Sequence, residues 1–198
     1  MKLNQQETRK QEQRSFNIAE LDKMRNDLAL TQKKGLPFII ASVFIWTLIL
    51  IVTRLDLPLE TKNILVFCCS CPLMPVAYIA GRILKVDLFD KINPLGKLGF
   101  LFTCNQLVYL LIVMWVFNAA PDKMVMVYAM VFGAHLMPYS WIYKSKSFMV
   151  ASVVLPIAAL IMGVKFSASV LAFVCVIFEL ILTALLFFEV RKMRRPLV

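Results

Sequence analysis

Six stretches of mostly apolar residues divide the chain, separated by short polar connections. They run over Leu36 to Val52, Thr61 to Ile83, Leu98 to Phe117, Lys123 to Tyr143, Phe148 to Val164 and Phe166 to Glu189. Each falls within the roughly 17 to 25 residues that an α-helix needs to cross about 30 Å of hydrocarbon. Connections such as "TRLDLPLETK" and "NAAPDK" carry Pro, Asp and Lys, which suit turns at a water interface. The pattern predicts an all-α, polytopic bundle of six transmembrane helices.

The segment before the first span divides in two. Residues 1–16 are polar and Gln-rich, with too little apolar surface to offset chain entropy, and read as a disordered tail. Residues 17–34, "NIAELDKMRNDLALTQKK", read as a short amphipathic helix. Asn17 followed by Glu20 resembles a capping box, and Leu21, Met24 and Leu28 fall on one helical face. Such a helix lies on the inner leaflet, docks under the bundle, recruits a cytoplasmic partner or merely leads into the first span. The membrane domain then covers 35–190, and 191–198 form a basic cytoplasmic tail.

Composition agrees. With 60% hydrophobic residues and 17% charged, the chain is too apolar for a soluble domain of its length, and the lipid bilayer becomes its expected environment. The net charge of +10 is explained by topology, since no nucleic-acid-binding signature accompanies it. Placing the N-terminus inside gives 18 Lys and Arg to the cytoplasmic segments and leaves only Arg54, Lys62, Lys123 and Lys165 outside. Cytoplasmic segments retain positive charge, so both termini are expected in the cytoplasm. The polar start of the sequence lacks the apolar core of a cleavable signal.

Ionisable and amide groups inside spans are costly and mark sites by default. At about 1.5 Å per residue, His135 and Glu179 lie roughly 17 and 19 Å from the outer starts of their spans. Asn105 and Gln106, on a span running the other way, fall roughly 18 to 20 Å from the outside. All four share a midplane layer within about one helical turn. Tyr139 and Tyr128 share a helical face with His135, and a His–Tyr pair can relay protons or grip a polar ligand. The alternative is a neutral His135 that hydrogen-bonds Glu179, Asn105 or a carbonyl and stitches helices together. A charged Glu179 is expensive here unless something pairs with it.

Pro72, Pro75, Pro138 and Pro156 interrupt the second, fourth and fifth spans, each removing a backbone donor. Broken helices near the midplane build binding sites in many transporters, although simple kinks are common. "CPLMPVAYIAGRILK" (71–85) and "AHLMPYSWIYKSK" (134–146) share Leu-Met-Pro and a basic exit, a weak repeat that the sixth span lacks.

"FCCSCP" (67–72) holds a C-x-x-C pair, Cys68 and Cys71. Membrane thiol oxidoreductases use such pairs, but cysteine is also an ordinary small apolar residue in lipid. No catalytic set is evident: H-E-x-x-H, G-x-S-x-G and Walker loops are missing, and one histidine builds no multi-histidine metal site. No cofactor and no metal are expected, and an enzyme is disfavoured.

The residues "KKGLPFIIASVFIW" (33–46) and "AHLMPYSWIYKSKSF" (134–148) resemble those of a family of small bacterial membrane proteins known only as a domain of unknown function. The likeness extends from about Leu21 to the last span and implies a multi-pass protein of the bacterial cytoplasmic membrane. It supplies no substrate or catalytic residue. Three functions stay open: a small proton- or ion-coupled transporter, homo-oligomeric or not, binding at Asn105, Gln106, His135, Tyr139 and Glu179; a membrane scaffold with a purely structural polar layer; and a thiol oxidoreductase at Cys68 and Cys71.

Overall fold

A computed structural model describes residues 2–88 and 93–193, with side chains from Asn17 onward and excepting those of residues 100 and 107. Lys91, Arg194 and Arg195, counted in the charge pattern, and most of the basic tail lie outside the described residues. Among the described residues nine α-helices follow in order: α1 (Lys2–Thr31), α2 (Leu36–Arg54), α3 (Leu59–Cys68), α4 (Leu73–Leu84), α5 (Pro94–Ala119), α6 (Met124–Ala134), α7 (Leu136–Ile142), α8 (Lys146–Lys165) and α9 (Ala168–Met193). No strand occurs among the described residues. The fold is all-α, as expected.

Every predicted span has its counterpart. Six helical stretches among the described residues are long and apolar enough to cross a membrane: Lys33–Arg54, Leu59–Leu84, Pro94–Ala119, Pro121–Ile142, Lys146–Lys165 and Ala168–Met193. The second and fourth are each two helices in series, α3–α4 and α6–α7, whereas α8 runs unbroken through Pro156. Local chemistry sets several boundaries. Asn93 caps α5 by accepting from the Leu95 amide at 3.0 Å, with Pro94 in the first turn, where its missing N–H is not needed. Ser145 caps α8 at the Phe148 amide, 3.3 Å away.

α1 differs from the sequence reading at its start. The helix begins at Lys2, so Asn17 lies inside it and caps nothing; the Gln-, Glu-, Lys- and Arg-rich residues before it are good helix formers. Its apolar stripe docks under the bundle. Leu28 and Ala29 are buried, Arg25 donates to the Trp141 carbonyl at 2.9 Å with its guanidinium over that indole, and Asn93 donates to the Met24 carbonyl at 2.8 Å. Three consecutive left-handed residues, Lys33, Lys34 and Gly35, then turn the chain into α2.

Within the bundle α2 packs between α9 and the α3–α4 span, and α6 and α7 pack on α8, which leans on α9. Lipid tails are as apolar as Leu, so close packing rather than hydrophobic exclusion holds such helices together. The buried alanines Ala41, Ala129, Ala159 and Ala172 allow that approach. Gly133 does so too, against a rigid neighbour: a Cβ there would fall 2.6 Å from Pro156 Cδ. α5 is the outlier, packing on α6 with little else, and α4 and α5 barely touch among the described residues.

Candidate functional site

The two broken spans break at the same sequence. α4 opens on Leu73-Met74-Pro75 and α7 on Leu136-Met137-Pro138, so the weak repeat marks the start of each second half-helix. Proline is tolerated in a first turn but not deeper, which places the interruption just before it. Before α4 the backbone tightens, with Ser70, Cys71 and Leu73 amides each donating to the carbonyl three residues earlier. Before α7 the break is His135 itself.

A cavity of about 130 Å³ lies between α2, α4, α5 and the α6–α7 break. Its lining runs from Gln32 and Tyr143, at the end of the bundle that carries α1, to Ser42, Gln106 and His135, with residues of both α4 and α5 in its wall. Its polar lining comprises Gln32, Ser42, Thr103, Gln106, His135 and the hydroxyl-bearing rings of Tyr139 and Tyr143. Leu73, Met74 and Leu136 from the two Leu-Met-Pro starts supply apolar wall. Among the described residues no Asp, Glu, Lys or Arg lines it.

His135 sits at the head of this cavity with Nδ1 against the Phe132 carbonyl. Of the structural partners considered from sequence, the carbonyl is the one present. Its ring meets Tyr139 edge-on at 5.9 Å. Tyr139 exchanges a 2.7 Å hydrogen bond with Thr103 and stacks on Tyr143, rings 6.1 Å apart. Tyr143 in turn donates to Gln32 at 2.8 Å, tying the cavity wall to the chain just after α1. Tyr128, expected on the same face, instead bonds Ser70 at 2.6 Å and joins the α3–α4 break to α6.

Glu179 is fully buried on α9. Its Oε2 is bonded to the Ser42 hydroxyl, and Oε1 has no partner among the described residues. Ser42 Oγ also reaches the Ile39 carbonyl at 2.7 Å and lines the cavity. The carboxyl therefore stands one side chain behind the cavity wall, linked to it by a hydroxyl.

The structure thus joins four of the five expected residues around one space, with Gln106, His135 and Tyr139 in the wall and Glu179 behind it. Asn105 is the exception. It points outward from α5, exposed, and donates to Tyr109 at 2.8 Å. Cys68 and Cys71 are free, exposed and absent from the cavity lining.

Sequence reading missed Ser42, Thr103 and Tyr143. It also passed over Glu189, which accepts from Lys34 at 2.6 Å, Ser145 at 2.8 Å and Ser147 at 2.6 Å. Lys34 is itself buried, so this cluster clamps the left-handed turn to α9 and the start of α8 beside the cavity mouth. The small hydroxyl of Ser42 inside the first span was the available signal.

Residues 21–189 match DUF7010, a family of unknown function. The chain belongs to that family. The DUF7010 match takes in the docked half of α1, all six spans and Glu189, and leaves the polar tail outside. No curated protein and no solved structure matches the chain.

Proposed function

We propose that this DUF7010 chain is a small proton- or ion-coupled carrier whose solute occupies the cavity at Ser42, Gln106, His135 and Tyr139, with Glu179 as the coupling group. The observation that carries the reading is the Ser42 bridge. A hydroxyl has one proton to donate, and Ser42 Oγ contacts two oxygens, the Ile39 carbonyl and Glu179 Oε2. Both contacts are satisfied together when a proton on Glu179 is donated to Ser42 and Ser42 donates to Ile39. When that proton leaves, Ser42 must choose between them, which reorients a cavity-wall group with the state of the carboxyl. The broken spans on either side of the cavity supply the interrupted backbone that alternating-access sites use.

The excess of Lys and Arg at the end carrying the termini supports a cytoplasmic placement of both, in a bacterial cytoplasmic membrane. The scaffold alternative is less well supported, because the apolar face of residues 17–34 that a partner would grip is already packed against the bundle.

The test is proton movement in liposomes that hold the purified chain and an internal pH dye. Under an imposed pH gradient, the wild type is expected to pass protons faster than empty liposomes. Glu179→Gln keeps the side-chain volume and a hydrogen-bonding group for Ser42, and is expected to return the rate to that of empty liposomes. A monodisperse Glu179→Gln variant with wild-type proton movement would end the reading.

A further inference from the structure

Asn105 is the expected site residue that the cavity does not use, and its surroundings point elsewhere. On α5 the residues Leu101, Asn105, Val108, Ile112 and Trp115 recur at alternating spacings of four and three. All five face outward; the four apolar ones are each more than half exposed. At roughly 100° per residue this stripe lies about 160° round the helix from Gly99, Thr103, Gln106 and Val113, which face the cavity and core. A four-three alternation is the repeat of a helix that pairs with another along a knobs-into-holes seam.

Asn105, second of the five, breaks the apolar run and lies near the middle of α5. One amide N–H goes to the Tyr109 hydroxyl; the amide oxygen and the second N–H meet no partner among the described residues. In hydrocarbon no water satisfies them, so an outward-facing carboxamide near the centre of a span calls for a partner from another helix. α5 is also the span least covered by its own chain.

We propose that α5 is the seam of a parallel homodimer, in which Asn105 pairs with Asn105 of a second copy. The occupant follows from self-complementarity. Two copies inserted the same way are related by a twofold axis along the membrane normal, which brings equivalent residues together at equal depth. A carboxamide both donates and accepts, so two asparagines at one depth satisfy each other, and a single polar residue in an apolar seam fixes its register. The seam and the cavity occupy opposite faces of α5, so the dimer's test is independent of transport.

The experiment is single-molecule photobleaching of the labelled full chain in liposomes over a range of protein-to-lipid ratios. The wild type is expected to bleach in two steps once density passes a midpoint. Asn105→Leu is expected to move that midpoint about tenfold to higher density, the scale of one interhelical hydrogen bond in a membrane, and Asn105→Gln to restore it. Ile112→Ala, which trims an exposed seam residue, moves it in the same direction and stands in if Asn105→Leu loses its fold. A wild type that bleaches in one step at every density, or a midpoint untouched by both Asn105→Leu and Ile112→Ala, overturns the proposal.

Discussion

Glu179 is where a single residue's chemistry departs furthest from its surroundings. A fully buried carboxyl is held, among the described side chains, by the Ser42 hydroxyl alone, with its other oxygen unpartnered. Leaving a buried polar group without its partner costs about 1 to 3 kcal/mol, whereas replacing both members by apolar groups of similar shape is nearly neutral. Ser42→Ala is therefore expected to destabilise the chain by about 2 kcal/mol. The double variant Ser42→Ala/Glu179→Leu should recover most of that loss. Chemical-denaturant titrations in one micelle system measure both, and a double variant as unstable as Ser42→Ala would mean that the carboxyl has support beyond Ser42. Recovery of stability together with loss of proton movement would separate what Glu179 does for function from what it does for packing.

Among elements, the α6–α8 contact determines whether the cavity keeps its shape, because α6 leads directly into the break at His135. Gly133 faces Pro156 so closely that an added methyl would lie 2.6 Å from Cδ and 3.1 Å from Leu155 Cβ. A proline ring on a helix cannot swing aside, so Gly133→Ala forces the helices apart and is expected to cost about 1 to 3 kcal/mol. A lowered thermal midpoint in nanodiscs checks it; an unchanged midpoint would mean that α6 and α8 are not clamped there. The elements themselves were legible in the sequence, since the apolar length that crosses a bilayer is a property of one segment alone. Spacing along each helix was legible too, because rise per residue is fixed. Azimuth was not. Asn105 and Gln106 sit at one depth, yet one faces outward and the other lines the cavity, a difference set by how α5 rotates against α6. The Lys34–Glu189 clamp was hidden for a related reason, since its partners lie 155 residues apart and meet only when α2 packs on α9.

For the whole molecule, the question is whether the space between α2, α4, α5 and the α6–α7 break is wet. Among the described residues its wall carries seven hydrogen-bonding side chains and no charge, and it extends toward the end that holds both α1 and the last turn of α9. A polar wall of this kind admits water, while the apolar outer face of α5 a few residues away suits hydrocarbon or a second copy of α5, neither of which brings water to it. Water-borne thiol reagents distinguish the two, because they react with the thiolate, which needs water to form. In a background lacking Cys68, Cys71 and Cys104, Thr103→Cys and Gln106→Cys are expected to react at least about tenfold faster than Val108→Cys. Addition from one side of oriented membranes at a time tells which face the cavity opens to. Faster reaction from the side that holds α1 and the last turn of α9 fits the cavity's extent, and is the outcome that the proposed cytoplasmic placement of that end expects. If Thr103→Cys reacts no faster than Val108→Cys, the cavity is dry. His135, Tyr139 and Gln106 then hold the helices in place, and Glu179 has no aqueous route by which to exchange a proton.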